Sequence, residues 1–201
     1  MKEFPLAERM SRIGTETAFA VGVRARALEA QGKHIIHLQI GEPDFDTPAN
    51  IIDAGVEALR SGWTHYGPAA GDPELREAIA AYIARSRDAH YRADQVVVTP
   101  GGKPVMFYLM LALLDEGDEA IFPDPGFPIY GSMIRFSGAK AVPIHLREEN
   151  DFRLDVDELA GLITDRTKLL IVNSPANPTG GVLTREELER IANLAVEHDL
   201  V

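Results

Sequence analysis

Short, uninterrupted apolar runs alternate with longer segments of helical periodicity along most of this chain. Three of the runs are continuous, at residues 95–99 (QVVVT), 119–122 (EAIF) and 168–172 (KLLIV). Continuous rather than alternating apolar residues are typical of strands that a parallel sheet buries on both faces. The shorter pairs Ile35-Ile36 and Ala141-Val142 predict two weaker strands.

Helix start signals precede the periodic segments. Thr47-Pro48 and Asp72-Pro73 each place a capping residue before a proline at the first helical position. Two further pairs have the spacing of a capping box, Asp155 with Glu158 and Thr184 with Glu187. The predicted helices cover residues 17–30, 47–60, 72–86, 104–114, a stretch after 127, 155–163 and 184–197.

From residue 47 onward this pattern predicts the order α, α, β, α, β, α, β, α, β, α. Such an order indicates an α/β domain whose parallel strands are joined by right-handed crossovers. Sheets of this kind bind ligands at the carboxyl ends of their strands, so the informative loops are 99–104, 123–130 and 173–181. Residues 199–201 have the character of one more strand, and we therefore expect the chain to be the N-terminal part of a longer protein.

Composition narrows the range of partners and chemistry. The formal net charge of −11 argues against nucleic acid as a partner. Cysteine is absent, which excludes disulfides, thiolate metal sites and a cysteine nucleophile. No apolar run approaches the ~20 residues that span a bilayer, and residues 1–10 have no apolar signal-peptide core. We expect a cytoplasmic protein that does not bind membranes.

Two of the informative loops carry candidate ligand contacts. In the loop 99–104 (TPGGKP), glycines allow close approach of a ligand, and free N–H groups at a helix start favour an anion beside Lys103. A plain strand-to-helix turn explains the same residues, and the spacing fits neither a P-loop nor a dinucleotide fingerprint. In the loop 123–130, Phe127 and Tyr130 are able to stack on a planar ligand or to pack in the core, and we favour the core for Tyr130.

The third loop, 173–181 (NSPANPTGG), follows the most apolar run. Its two X-Pro bonds restrict the backbone, so that Asn177 is either a rigidly presented amide or an ordinary turn residue. Elsewhere, His34 and His37 are expected to be surface or core residues rather than metal ligands. The acidic stretch 115–119 is interpreted as a solvated turn, because it lacks the spacing of a calcium loop.

Four segments in a fixed order make the chain similar to a known family. They are residues 41–48 (GEPDFDTP), 66–79 (YGPAAGDPELREAI), 99–103 (TPGGK) and 173–180 (NSPANPTG). Together they resemble the N-terminal half of a class I/II aminotransferase, a fold type I enzyme that uses pyridoxal 5'-phosphate, and especially the bacterial aspartate-type members. The resemblance implies a three-layer α/β/α fold with a mostly parallel sheet. Residues 1–46 would be an arm and helix of the small domain, and residues 47–201 part of the large cofactor-binding domain.

The resemblance also implies roles for individual residues. Gly101, Gly102 and Lys103 match the positions that hold the cofactor phosphate, although many members have Ser, Thr or Ala where this chain has Lys103. Phe127 matches the aromatic residue that stacks on the pyridine ring, and Asn177 matches the amide that binds the phenolic oxygen. In the remaining two positions, Tyr66 matches a tyrosine that reaches the cofactor phosphate of the partner subunit in a homodimer, and Gly41 lies where the backbone approaches the substrate carboxylate. The bonds Asp124–Pro125 and Asn177–Pro178 match positions that are often cis.

Three residues that the family needs are expected beyond Val201: the Schiff-base lysine, the aspartate that pairs with the pyridine nitrogen, and the arginine that binds the substrate carboxylate. The lysines at 2, 33, 103, 140 and 168 do not lie in the expected context. The resemblance thus implies transamination between an L-amino acid and a 2-oxo acid by the full-length protein, and an inactive chain when these 201 residues stand alone. Alternatives are C–S lyase or cyclopropane-forming chemistry on the same fold, or a non-catalytic fragment.

Overall fold

The computed structural model describes residues 4–14 and 17–201. The helices in this part are α1 (Thr17–Glu29), α2 (Ala49–Arg60), α3 (Pro73–Arg87), α4 (Gly102–Leu113), α5 (Ile129–Ser137), α6 (Val156–Leu162) and α7 (Arg185–Glu197). The strands are β1 (Glu119–Asp124), β2 (Lys140–His145) and β3 (Thr167–Leu170). Short 3₁₀ turns occur at Glu8–Arg12, Ala93–Gln95 and Glu148–Asn150. No described helix is both long and apolar enough to cross a membrane.

The chain divides into two compact units. The first contains Lys103–Val201 together with the described residues of the N-terminal segment up to Thr17. Its N-terminal segment is attached to α5, because the Gly14 N–H donates to Oγ of the buried Ser132 at 2.8 Å. The second unit covers Ala18–Gly102. The domain boundary at residues 46 and 47 stays a prediction.

The sheet of the first unit is parallel, with the order β2-β1-β3. The last residue of the chain pairs with β3, on the side of β3 that faces away from β1. The Val201 N–H donates to the carbonyl of Lys168 at 3.0 Å, and the Leu170 N–H donates to the carbonyl of Val201 at 2.9 Å. These are the bonds of a parallel ladder, so residue 201 occupies a strand position, as its apolar character predicts.

Helices cover both faces of the sheet. Consecutive residues of a strand point to opposite faces, and on β1 Ala120 and Ile121 belong to two different buried clusters. The cluster around Ile121 includes residues of α6 and α7, whereas the cluster around Ala120 includes residues of α4 and α5. The sheet therefore lies between two helical layers, which explains why its strands read as continuous apolar runs.

Two strand predictions are wrong. Residues 95–99 form the end of a 3₁₀ turn and an extended segment that pairs with no described strand. Val98 instead donates its N–H to the carbonyl of Ala70 at 2.9 Å, while the Val97 side chain is 65% exposed. Ile35 and Ile36 also lie outside any described strand. An apolar run becomes a strand only where another strand pairs with it.

The predicted helix starts are mostly confirmed. Asp72 caps α3 by accepting from the Leu75 N–H, and Thr184 with Glu187 forms a complete capping box on α7. Asp155 also caps its helix, α6. Its expected partner Glu158 does not close the box, because its carboxylate pairs with Arg147. The prediction for α2 is wrong, since the cap position is Pro48, and no side chain bonds to the first turn.

Candidate active site

The loops that follow β1 and β3 emerge side by side. These two strands are parallel neighbours, and the ladder continues where the Ile171 N–H donates to the carbonyl of Ile121 at 2.9 Å. Phe127 lies in the loop after β1, and Asn177 lies in the loop after β3. The fold thus places an aromatic ring and an amide from two predicted site positions at the same edge of the sheet.

The loop after β1 is bent sharply before Phe127. The Asp124–Pro125 bond is cis, as the resemblance implies. A Cβ atom at Gly126 would lie 2.1 Å from the carbonyl oxygen of Pro123, so the backbone passes where no side chain fits. This close approach fixes the direction in which the half-buried Phe127 leaves the strand.

Tyr130 supports Phe127 from the first turn of α5. The two rings lie nearly perpendicular, with centroids 5.9 Å apart. Tyr130 is buried, which confirms its predicted core position, and burial raises the pKa of its phenol. The ring of Phe127 is therefore held by an edge-to-face contact and stays partly accessible.

Helix α4 brings a cation to this aromatic ring. Lys103 is in the first turn of α4, and its Nζ lies 5.9 Å from the centroid of the Phe127 ring. The first N–H groups of a helix have no intrahelical partner, so this end of α4 favours an anion. Two of the predicted cofactor contacts, Lys103 and Phe127, are thereby brought together.

The turn that leads into α4 depends on a glycine with positive φ and on a hydrogen bond from Thr99. Gly101 has φ of +95°, a conformation that suits glycine, and Thr99 Oγ1 donates to its carbonyl at 2.7 Å. A Cβ atom at Gly101 or at Gly102 would meet no atom within 4 Å. Both glycines are therefore open on the side where a side chain would project.

The loop after β3 holds Asn177 by hydrogen bonds within the loop. Asn173 Oδ1 accepts from the Asn177 N–H at 2.8 Å, and Asn177 itself is exposed. The Asn177–Pro178 bond is cis, as the resemblance implies, and Ser174–Pro175 is cis as well. Sequence reasoning did not identify Asn173, although an asparagine that starts a proline-rich loop is a recognisable turn signal.

The two remaining predicted residues lie in the second unit. Tyr66 is fully exposed in an extended stretch between α2 and α3. Gly41 is also exposed, and a Cβ atom there would meet nothing within 4 Å. His37 in the same unit bonds to Glu29 at 2.7 Å and to Gln39 at 3.0 Å. Among the described residues no cluster of three His, Asp or Glu side chains suits a metal ion.

A buried carboxylate at the opposite edge of the sheet corrects one interpretation. The interpretation of residues 115–119 as a solvated turn is wrong for Glu119, whose side chain is 1% exposed. It accepts from Lys140 Nζ at 2.9 Å, from Arg166 Nη2 at 2.8 Å and from Thr164 Oγ1 at 2.8 Å. These contacts, led by the Lys140 bond, lower the pKa of Glu119 to about 2, against the opposing effect of burial. Lys140 and Arg166 are far away in sequence, so no local pattern indicates this burial.

Comparison with known proteins gives a consistent result. Residues 33–201 match the aminotransferase class I and II family. Over 195 residues the chain is 42% identical to a probable aspartate/prephenate aminotransferase of Aquifex aeolicus (strain VF5), which covers 97% of this chain and 50% of that protein. The solved structure of Thermus thermophilus aspartate aminotransferase with maleate matches with a TM-score of 0.94 at 42% identity, over 98% of this chain and 52% of that one. Alanine aminotransferase from Pyrococcus furiosus matches with a TM-score of 0.92 at 35% identity, over 98% and 50%.

The chain spans about half the length of the curated relatives it matches. Within that half the similarity is nearly continuous, since the structural matches cover 98% of this chain with TM-scores of 0.93 and 0.94. The sequence, the fold and the loops at the carboxyl edge of the sheet therefore lead to one assignment. The chain belongs to the class I and II aminotransferases and has the fold type I architecture.

Proposed function

We propose that these residues form the N-terminal half of a pyridoxal-phosphate-dependent aminotransferase, which transfers an amino group between an L-amino acid and a 2-oxo acid. The observation that carries the proposal is the contact between Lys103 and the Phe127 ring. It lies at the carboxyl edge of the sheet, where the loop with Asn177 also begins. A cation at a helix start, an aromatic face and an amide suit three parts of this cofactor: its phosphate, its ring and its phenolic oxygen.

The chemistry of these residues fits the cofactor. Its phosphate is an anion, which the start of α4 and the Lys103 ammonium favour. The open glycines 101 and 102 allow a close approach of that phosphate. The planar ring suits the accessible face of Phe127, and the phenolic oxygen suits an amide donor at Asn177.

Each residue then has a distinct task in the proposed reaction. When bound, pyridoxal phosphate withdraws electrons from the Cα atom of the amino acid and so acidifies its Cα–H bond. The residues 101–103 anchor the phosphate end, and Phe127 holds the plane of the ring. Asn177 donates its side-chain N–H to the phenolic oxygen, which favours the ionised form of that oxygen. The backbone at Gly41 lies along the substrate carboxylate.

The proposal needs groups that this chain does not supply. Lys140 is bonded to Glu119 at the opposite edge of the sheet, and Lys103 lies beside the Phe127 ring, where we assign it to the phosphate. We place the lysine that moves the proton, together with the partner of the pyridine nitrogen and the carboxylate-binding arginine, beyond Val201. We also propose that the enzyme is a cytoplasmic homodimer in which Tyr66 of the partner subunit completes the phosphate site.

For the amino group donor we propose only the class of L-amino acids. The three relatives described above are named for aspartate, for aspartate and prephenate, and for alanine, and each matches 97% or 98% of this chain. Substrate discrimination among them therefore does not follow from the overall form of this half. L-Aspartate is the first donor to test, followed by L-alanine, with 2-oxoglutarate and prephenate as acceptors.

The test uses the purified full-length protein. We expect a cofactor absorption band that borohydride bleaches, and a change of that band when an amino acid donor is added without an acceptor. Transamination is then measured with the donor and acceptor panel. Pure, folded full-length protein that takes up no pyridoxal phosphate would overturn the proposal, and cofactor uptake with C–S bond cleavage instead of transamination would replace it.

A further inference from the structure

Hydrogen bonds at several points fix the loop between β3 and α7, among them the bond from the Gly180 N–H to the carbonyl of Ala176 at 2.7 Å. Asn173 Oδ1 accepts from the Asn177 N–H at 2.8 Å. Ser174 Oγ accepts from the Leu183 N–H at 2.9 Å, near the far end of the loop. Within the loop, the Ala176 N–H donates to the carbonyl of Gly181 at 2.8 Å. Of these bonds, only the one from Asn173 reaches Asn177 itself.

The hydrogen bond from Asn173 is suited to orient the Asn177 side chain. The donor is a backbone N–H, so the contacting atom of Asn173 must be its side-chain oxygen. Pro178 follows Asn177 and has no N–H of its own, which leaves the Asn177 N–H as the backbone donor beside the Asn177 side chain. Fixing this N–H fixes the Cα–Cβ direction of Asn177, while the half-buried Asn173 is anchored close to the end of β3.

The far end of the loop rests on another part of the fold. A Cβ atom at Gly181 would lie 2.5 Å from the carbonyl oxygen of Phe152, so the loop backbone lies directly against this turn. Both Asp151 and Phe152 have positive φ, of 51° and 53°. The side of the loop that carries Gly181 is thus positioned by packing, and the side that carries Asn177 is positioned by Asn173.

We propose that Asn173 is a positioning residue, which acts by holding Asn177 in the orientation that meets the cofactor. The inference rests on the proposed function of Asn177. An amide that donates to an ionised oxygen lowers the pH at which the bound cofactor takes up a proton. If Asn173 is lost, Asn177 samples other orientations, the hydrogen bond weakens, and that pH rises.

The experiment compares three single variants with the wild-type full-length holoenzyme. Asn173→Ala removes the acceptor, Asn173→Asp keeps an acceptor oxygen of the same shape, and Ser174→Ala removes the neighbouring bond that does not reach Asn177. The pH midpoint of the cofactor absorption band is measured in 0.5 M salt, which screens the added charge of the aspartate. Exchange of the Asn177 amide hydrogen in the apo-protein is measured alongside.

We expect Asn173→Ala to raise the midpoint by about one pH unit, the size expected for a hydrogen bond to a charged group. Asn173→Asp restores the midpoint, Ser174→Ala leaves it unchanged, and Asn177 amide exchange is faster only in Asn173→Ala. An unchanged midpoint in Asn173→Ala, or an equal rise in Ser174→Ala, would overturn the inference. A wild-type protein without any cofactor band would overturn the proposed function instead, while amide exchange would still test the contact.

Discussion

At the scale of single residues, the candidate site depends on glycines at which the surrounding backbone leaves no space for a side chain. Gly126 is the strictest of these, because a Cβ atom there would lie 2.1 Å from the carbonyl oxygen of Pro123. The sequence alone singles out Phe127 for its side chain and gives no reason to single out the glycine before it. The orientation of Phe127 is nevertheless set by that glycine and by the perpendicular ring of Tyr130.

We predict that Gly126→Ala disrupts this loop. The new Cβ atom would lie 2.1 Å from a backbone oxygen, so the chain must shift, at a cost of about 3 kcal/mol in the free energy of unfolding. Urea denaturation and cofactor content of the full-length protein measure the effect. The matched control is Gly161→Ala in α6, where a Cβ atom meets nothing within 4 Å and stability should rise by roughly 0.5 kcal/mol. Wild-type stability in Gly126→Ala would show that the loop yields without cost.

At the scale of elements, the two edges of the sheet have different roles. The carboxyl edge carries the candidate site, and the amino edge carries the Glu119 cluster. Lys140 starts β2, Thr164 and Arg166 immediately precede β3, and all three bond to the first residue of β1. A single buried carboxylate therefore ties the beginnings of all three strands together.

We predict that Glu119 contributes stability that depends on pH. Its pKa is about 2 in the folded chain and 4.5 ordinarily, so the contribution is complete above pH 4.5 and is lost as the pH falls towards 2. Lys140 and Arg166 are largely exposed, and we discount the shift for solvent screening to about 2 kcal/mol.

The measurement is urea unfolding of wild type and Glu119→Gln between pH 3 and pH 7. The difference between the two should be largest at neutral pH and should shrink on acidification. Glu189→Gln is the control, because Glu189 forms an exposed pair with Arg185 at 3.8 Å and should change stability by less than about 0.5 kcal/mol at any pH. A gap between wild type and Glu119→Gln that does not vary with pH would contradict the assigned pKa.

We predict that two threonines at helix starts differ in importance. Thr184 accepts from the Glu187 N–H at 3.2 Å and caps α7, so Thr184→Ala should cost about 1 kcal/mol of stability. Thr47 precedes α2 without capping it, and Thr47→Ala should cost close to nothing. Thermal unfolding midpoints of the two variants and of Thr184→Ser, which keeps the hydroxyl, decide between them. Equal losses at both threonines would show that Thr47 caps α2 and would contradict the prediction.

At the scale of the whole molecule, the sequence predicts those features that depend only on residues close together in the chain. The order of elements follows from apolar runs, caps and prolines, and the three loops of the candidate site follow from that order. The failures concern partners that are distant in sequence. Residues 95–99 have the composition of a strand but no described strand beside them, and Glu119 is buried only because Lys140 and Arg166 come to it. Neither segment contains a local pattern that indicates whether a strand or a cation from a distant part of the chain will lie beside it.

The homodimer is the prediction that reaches furthest beyond a single chain. Tyr66 is fully exposed and forms no hydrogen bond within the described residues, so its hydroxyl is accessible to a ligand or to another subunit. If its partner is the cofactor phosphate of the other subunit, Tyr66→Phe should weaken cofactor binding roughly tenfold to a hundredfold, the loss expected for a hydrogen bond to a charged group. Equilibrium cofactor titration of the full-length variant measures this change.

A mixing experiment then separates a shared site from a local one. In a heterodimer of Tyr66→Phe and Asn177→Ala subunits, the first subunit keeps its own Asn177 and receives the intact tyrosine of its partner. One site of the two is then wild type, and the other carries both defects. The assay uses a cofactor concentration that fills wild-type sites and leaves both variant homodimers largely empty. Because subunits exchange at random, an equal mixture should then regain about a quarter of wild-type activity, half of the dimers being mixed with one good site each. Mixtures that exchange subunits yet show only the average activity of the two variants would place Tyr66 in the site of its own chain.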